Sequence, residues 1–338
     1  MPTIAIDAMG GDFAPETIVR GVAQASVETE IQCVLVGDEA AIQSVLERVP
    51  YNPEHISIAH CRDAIGMEED PREAIRTKRD ASILVGARLV TEGRADALVS
   101  AGNTGACVLA CSKSFRIIKG IRRTAIASVY PRQVGHPGQD PLALILDVGA
   151  TVRCEATELV QFALMGNAYA RRISKLEAPR IGLLNMGREG TKGGDVLAET
   201  HRRLQNHSQL NFVGNIEGNH VATGEADVIV CEGLIGNMVL KLVEGVAEVF
   251  ANATSQAARH RLRWRVGLML LGKALRQIRE LTDYTRYGGA PILGFENMII
   301  KCHGRSNADA IRNAVKVAAK AVRDDVPREI AEAVVGMR

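Results

Sequence analysis

Apolar and polar positions follow two rhythms along this chain. Short apolar runs at Thr3–Ile6, Ile31–Val36, Ala97–Val99, Leu142–Leu146, Ile181–Leu184 and Val228–Val230 are bounded by Gly or Asp and predict buried strands. Between them, Glu16–Glu28, Glu39–Arg48, Arg72–Thr91, Glu155–Arg172 and Asp195–Gln205 repeat apolar residues at helical spacing. Strands that are apolar throughout are covered on both faces. The pattern therefore predicts a mostly parallel sheet between two helical layers, a three-layer α/β/α sandwich. After Gly236 the rhythm changes. Residues 238–284 read as a long helical pair inserted before the last strands, and the sheet pattern resumes near Ile292. No repeat or low-complexity linker interrupts the chain, so residues 1–338 are expected to form one α/β unit.

Ligands of such sheets bind beyond the carboxyl ends of the strands. Three strand ends carry Gly-rich punctuation: Ser100-Ala-Gly-Asn-Thr-Gly105, Asn185 through Lys192 to Gly194, and Cys231 through Gly236 to Asn237. Small residues let backbone N–H groups approach an anion, and a following helix start adds favourable partial charge. Each loop alone is also an ordinary strand-to-helix turn; three in one sheet favour a shared anion pocket. Asp7-Ala-Met-Gly10-Gly11-Asp12 adds a sharp exit from the first strand, with Asp12 either a site residue or a helix cap. Near the other end, Lys301, His303 and Arg305 sit where a strand turns into a helix, with Ser306 or Asn307 as its cap.

Known fingerprints are missing. There is no Gly-x-x-x-x-Gly-Lys-Ser/Thr, no Gly-x-Gly-x-x-Gly after a strand, no Gly-x-Ser-x-Gly and no His-Glu-x-x-His. Composition narrows the picture further. A net charge of +2 with only 4% aromatic residues argues against nucleic-acid binding. The seven cysteines form no Cys-x-x-Cys pair, which fits reduced thiols and no metal site. The chain enters a strand pattern at its start, without the pattern of a signal peptide, and no run reaches the ~18 apolar residues that span a bilayer.

Taken in order, Asp7–Asp12, Ser100–Gly105, Leu146–Gly149, Gly182–Asn185, Gly233–Asn237, Tyr287–Ala290 and His303-Gly304 resemble the PlsX family of phosphate acyltransferases. The resemblance runs from residue 4 to about 315. Thr151, Glu232-Gly-Leu234 and Arg305 depart from the family's usual residues. The resemblance implies a homodimer with a phosphotransacetylase- and isocitrate dehydrogenase-like fold, and no cofactor. It implies transfer of a long-chain acyl group from acyl carrier protein to inorganic phosphate. The acyl phosphate would serve phospholipid synthesis through a membrane-bound glycerol-3-phosphate acyltransferase.

Together, the loops and the resemblance assign catalysis to Lys192, Asn237 and His303. They assign phosphate or substrate binding to Asp7, Gly10, Gly11, Asp12, Ser100, Gly102, Asn103, Thr104, Gly105, Asn185, Gly236 and Lys301. Phosphate is the nucleophile in this scheme, so no covalent Ser or Cys is required. Two other readings stay open: a binding protein or membrane scaffold without turnover, and a coenzyme A-dependent phosphotransacylase. Residues 259–279 hold seven Lys or Arg, no acid, a single Trp and the apolar run Val266–Leu271. That composition suits either a dimer contact or a tip that docks on an anionic membrane. The expected location is the cytoplasm, with reversible association with the inner face of the cell membrane.

Overall fold

The computed structural model describes residues 1–133, 141–260, 262–272 and 288–335. Eleven strands among them form one sheet. In chain order they are β1 (Thr3–Asp7), β2 (Gln32–Gly37), β3 (Ile56–His60), β4 (Ala97–Ser100), β5 (Ala125–Pro131), β6 (Leu142–Leu146), β7 (Arg180–Leu184), β8 (Asn211–Ile216), β9 (Val228–Val230), β10 (Ala290–Leu293) and β11 (Met298–Lys301). Across the sheet the order is β3-β2-β1-β4-β11-β10-β5-β6-β9-β7-β8. The outer blocks are parallel within themselves, whereas β10 and β5 pair antiparallel with each other and with their neighbours. Three reversals in the middle make the two blocks run in opposite directions.

The α-helices among the described residues are α1 (Glu16–Glu28), α2 (Glu39–Leu46), α3 (Pro71–Thr77), α4 (Ser82–Thr91), α5 (Thr104–Ser114), α6 (Ala156–Ile173), α7 (Asp195–Gln205), α8 (Gly233–His260), α9 (Leu262–Leu270), α10 (Ala308–Arg323) and α11 (Val326–Val335). Strand side chains alternate between two cores. Ile4, Ile6, Leu144 and Ile300 join α1, α6, α10 and α11 on one face. Ala5, Leu98, Ile145 and Ile299 join α4 and α5 on the other. The three predicted layers are present, for the reason the sequence supplies: alternate residues of all-apolar strands need cover on both sides.

The predicted stretch Arg72–Thr91 is two helices. Lys78 leaves helical geometry (φ −98°, ψ 71°), and the Ser82 N–H bonds the Asp63 carbonyl at 3.0 Å. The break lets the Ser82 hydroxyl reach Asp7 at 2.5 Å. β3, β5 and β8 are additional to the predicted strands. The first arm of the predicted helical pair is α8, which starts at Gly233, five residues before residue 238. The second arm falls partly on residues 273–284, outside the described residues.

Candidate active site

Parallel register sets Asp7, Ser100 and Lys301 side by side at the ends of β1, β4 and β11. Asp7 is buried and accepts hydrogen bonds from the hydroxyls of Ser82 at 2.5 Å and Ser100 at 2.7 Å. Burial pushes its carboxyl above the usual range, opposed by those hydroxyls, the Met9 N–H and the nearby Lys301 charge. Gly10 packs against Asp7 and the backbone of Gly102, where no Cβ fits. Asp7, Gly10, Ser100 and Gly102 thus clamp two loops together and do not face an open site. Gly11 sits beside Ala101 and Gly304, and Gly105 beside Pro71.

Asn103 is the N-cap of α5: its side-chain oxygen accepts from the Ala106 N–H at 3.1 Å. Its amide nitrogen donates to the carbonyls of Met67 at 2.9 Å and Glu69 at 3.2 Å. The side chain is therefore spent on holding the segment before α3. The next residue, Thr104, opens the helix and lines a cavity of about 470 Å³. Asp12 faces the same cavity; its N–H bonds the Gly304 carbonyl at 2.9 Å, and it does not cap α1.

Asp147, fully buried after β6, accepts from the N–H groups of Ile126, Gly149, Ala150 and Thr151. Burial raises its carboxyl while those four donors pull it back. The loop it shapes brings Val148 and Gly149 to the cavity. Gly233 and Gly236 allow α8 to press on Asp147 where any side chain would collide. The helix then crosses the sheet face, presenting Asn237, Leu240, Lys241, Val243 and Glu244 to the cavity.

The cavity therefore lies on the sheet face between the two opposed blocks, roofed by α8. Lys301, Cys302, His303 and Gly304 supply its β11 end, and Ile126, Ser128 and Tyr130 its floor. His303 Nδ1 accepts the Arg305 N–H at 3.1 Å, so the neutral ring carries its proton on Nε2. Burial first, then the charges of Lys241 and Lys301, hold its pKa below the ordinary value, against Glu244 and Asp12. The Cys302 thiol is pushed up to about 12 by burial and stays protonated at neutral pH. It is a poor nucleophile there. The site can hold an anion at its polar end and an apolar group along Ile126, Val129, Leu240 and Val243.

Five of the predicted residues meet in this cavity: Asp12, Thr104, Asn237, Lys301 and His303. Lys192 and Asn185 do not. The Asn185 side chain instead braces its own loop, donating to the Lys192 carbonyl at 3.0 Å, and Lys192 is exposed. The physical reason is the opposed direction of the blocks, which puts the β4 loop at one edge and the β7 loop at the other; α8, which starts at the β9 end and crosses the sheet face, carries Asn237 to the cavity. Of the three Gly-rich stretches, two reach the cavity, through Thr104 and Asn237, and the one that holds Lys192 is not in its lining. Sequence reasoning missed Met67, Ser128, Tyr130, Lys241 and Glu244. Lys241 was within reach, one helical turn from Asn237 on the same face.

The fold is shared with acyl-transferring enzymes. A phosphotransacetylase from Streptococcus pyogenes aligns with a TM-score of 0.64 at 16% identity, over 95% of this chain and 94% of that one. A branched-chain phosphotransacylase from Enterococcus faecalis V583 aligns at 0.57 and 17% identity, over 95% and 99%. The family described as "Fatty acid synthesis protein" matches residues 2–329. Proteins named phosphate acyltransferase are similar over more than nine-tenths of their length. That of Moorella thermoacetica is 44% identical over 94% of this chain and 92% of its own. That of Nitratidesulfovibrio vulgaris is 40% identical over 98% and 94%. The chain belongs to this PlsX family of phosphate acyltransferases and is an acyltransferase.

Proposed function

We propose that this enzyme transfers a fatty acyl group from the thioester of acyl carrier protein to inorganic phosphate. The observation that carries this reading is one cavity with a cationic, hydrogen-bonding end and an apolar wall. Phosphate sits between the start of α5 at Thr104, Lys301 and His303. A phosphate oxygen attacks the thioester carbonyl carbon, the new C–O bond forms, and the C–S bond breaks. The phosphate proton ends on the departing thiolate, and His303 Nε2 and Asp12 stand where it passes. The Asn237 amide supports the carbonyl oxygen as it gains charge. A thiolate with a reference pKa of about 8.5 leaves without strong acid help. Lys192, on the neighbouring loop at the β9 edge, attracts the anionic substrates.

The surroundings support the wider reading. Met238 and Leu242 on α8 are 60% and 69% exposed, an apolar stripe suited to a second copy of the chain. Met269 and Leu270 near the end of α9 are 73% and 81% exposed, beside a run of Arg residues. No helix among the described residues is long and apolar enough to cross a membrane. A tip of that kind docks reversibly on an anionic surface, here the cytoplasmic leaflet. It would deliver acyl phosphate to a membrane-bound glycerol-3-phosphate acyltransferase in phospholipid synthesis.

The test omits phosphate. Acyl carrier protein thioester with phosphate should yield acyl phosphate and free thiol in equal amounts, and neither without phosphate. Intact mass should show no acylated enzyme. An acyl-enzyme formed before phosphate is added would overturn the direct attack. Binding of both substrates without turnover would favour a binding protein.

A further inference from the structure

Strand β5 lies in the middle of the sheet, yet Ser128, Val129, Tyr130 and Pro131 are only half-buried. The register explains this. β10 pairs with β5 at Ile126 and Ala125, while β5 continues along β6 to Pro131. Beyond Ser128, no described strand pairs with the β10 side of β5. Val129 packs toward one core and Tyr130 toward the other. Val129 borders both the active-site cavity and a second cavity of about 220 Å³ behind the sheet.

The walls of the rear cavity include Leu142, Leu144, Tyr169, Ile173 and Leu176 besides Val129. Its ionisable neighbours are already engaged. Asp227 is held by Arg180, at 2.6 Å from the backbone N–H, and by Arg132. The Lys320 ammonium donates to the Ile173 carbonyl. What faces the interior is mainly hydrocarbon, a lining that stays dry and takes apolar ligands. A saturated chain needs no hydrogen bonds to cross a gap in a sheet, whereas a peptide or sugar does.

The geometry points to this rear cavity as the binding site for the tail of the acyl chain, entering beside Val129 while the thioester stays at Lys301 and His303. The inference rests on the acyl-transfer reading and adds a chain-length selector to it. Each methylene buried there is worth roughly 4-fold in affinity. A long chain fills the rear cavity and a short one stops before it.

Ile173→Trp and Leu176→Trp, made singly, fill the rear cavity from half-buried positions. In folded variants, kcat/KM for a long-chain acyl carrier protein should fall by at least ~10-fold, mostly through KM, with the short-chain donor unchanged. Equal losses for both donors, or no loss for either, would overturn the inference. Binding separates it from the acyl-transfer reading. A long-chain saturated fatty acid, titrated by calorimetry, should bind wild type one-to-one and bind both variants more weakly. That result supports the cavity even without turnover. Absence of binding to wild type, or equal binding to all three proteins, overturns it even if acyl phosphate is formed.

Discussion

Replacing Lys301 by Met removes one positive charge and keeps most of the buried stem. Lys301 is 7% exposed, so water does little to screen it. A unit charge about 4 Å from one anionic charge contributes about 4 kcal/mol at an effective dielectric constant of ~20. Loss of one preorganised donor in comparable sites costs about 2.7–4 kcal/mol, or ~10²–10³ in rate. The two estimates agree, so kcat/KM for phosphate should fall ~10²–10³-fold. Stability should change far less. Asp7 loses a favourable charge but keeps the Ser82, Ser100 and Met9 donors, which limits the cost to about 1–2 kcal/mol. The assay is initial-rate acyl phosphate formation across a phosphate titration, beside a melting curve. A folded Lys301→Met protein with wild-type kcat/KM for phosphate would refute the placement of phosphate at this end.

Asn103→Ala should lower stability by about 2–3 kcal/mol, because it removes a cap and both bonds to the Met67 and Glu69 carbonyls; an unchanged melting temperature would contradict the positioning role. The His303 pKa is depressed, so the unfolded chain takes up this proton first as pH falls. His303 therefore costs stability below the ordinary histidine range of about 6.5 and nothing well above it. In urea titrations, His303→Gln should shrink the loss of midpoint between about pH 7.5 and about pH 5.5; an equal loss in both proteins would count against the burial argument. Leu270→Glu/Leu271→Glu should abolish cosedimentation with anionic liposomes while leaving acyl transfer intact. Equal sedimentation would remove the membrane tip, and a change of oligomeric state in the variant would assign these residues to a contact between copies of the chain.

Much of the architecture was legible because burial on both faces writes itself into a sequence. Leu142–Leu146 and Val228–Val230 have the same bounds in the sequence pattern and in the structure. β3 and β8 were not, since they end the sheet and are only partly buried. β5 ends in Tyr130-Pro131 and faces cavities, so it lacks the all-apolar signature. Residues that line the cavity at strand ends had Gly neighbours to mark them, but nothing local showed what each side chain holds. Asn103 looked like a phosphate ligand because a cap and an anion cradle use the same residue type. Lys192 looked convergent with Thr104 because local loops do not reveal that β5 and β10 reverse the sheet between them. Asp147 fell within the Leu146–Gly149 stretch of the resemblance, but nothing local marked it as the acceptor of four backbone N–H groups.

The proposed reaction joins the acyl group of a carrier-protein thioester to phosphate. The direct measurement is the rate of acyl phosphate formation with long-chain acyl carrier protein, set against acetyl-coenzyme A, at equal phosphate. Efficient, saturable formation from the carrier-protein donor and little from acetyl-coenzyme A is expected. Preference for acetyl-coenzyme A, or no acyl phosphate from either donor, would contradict it.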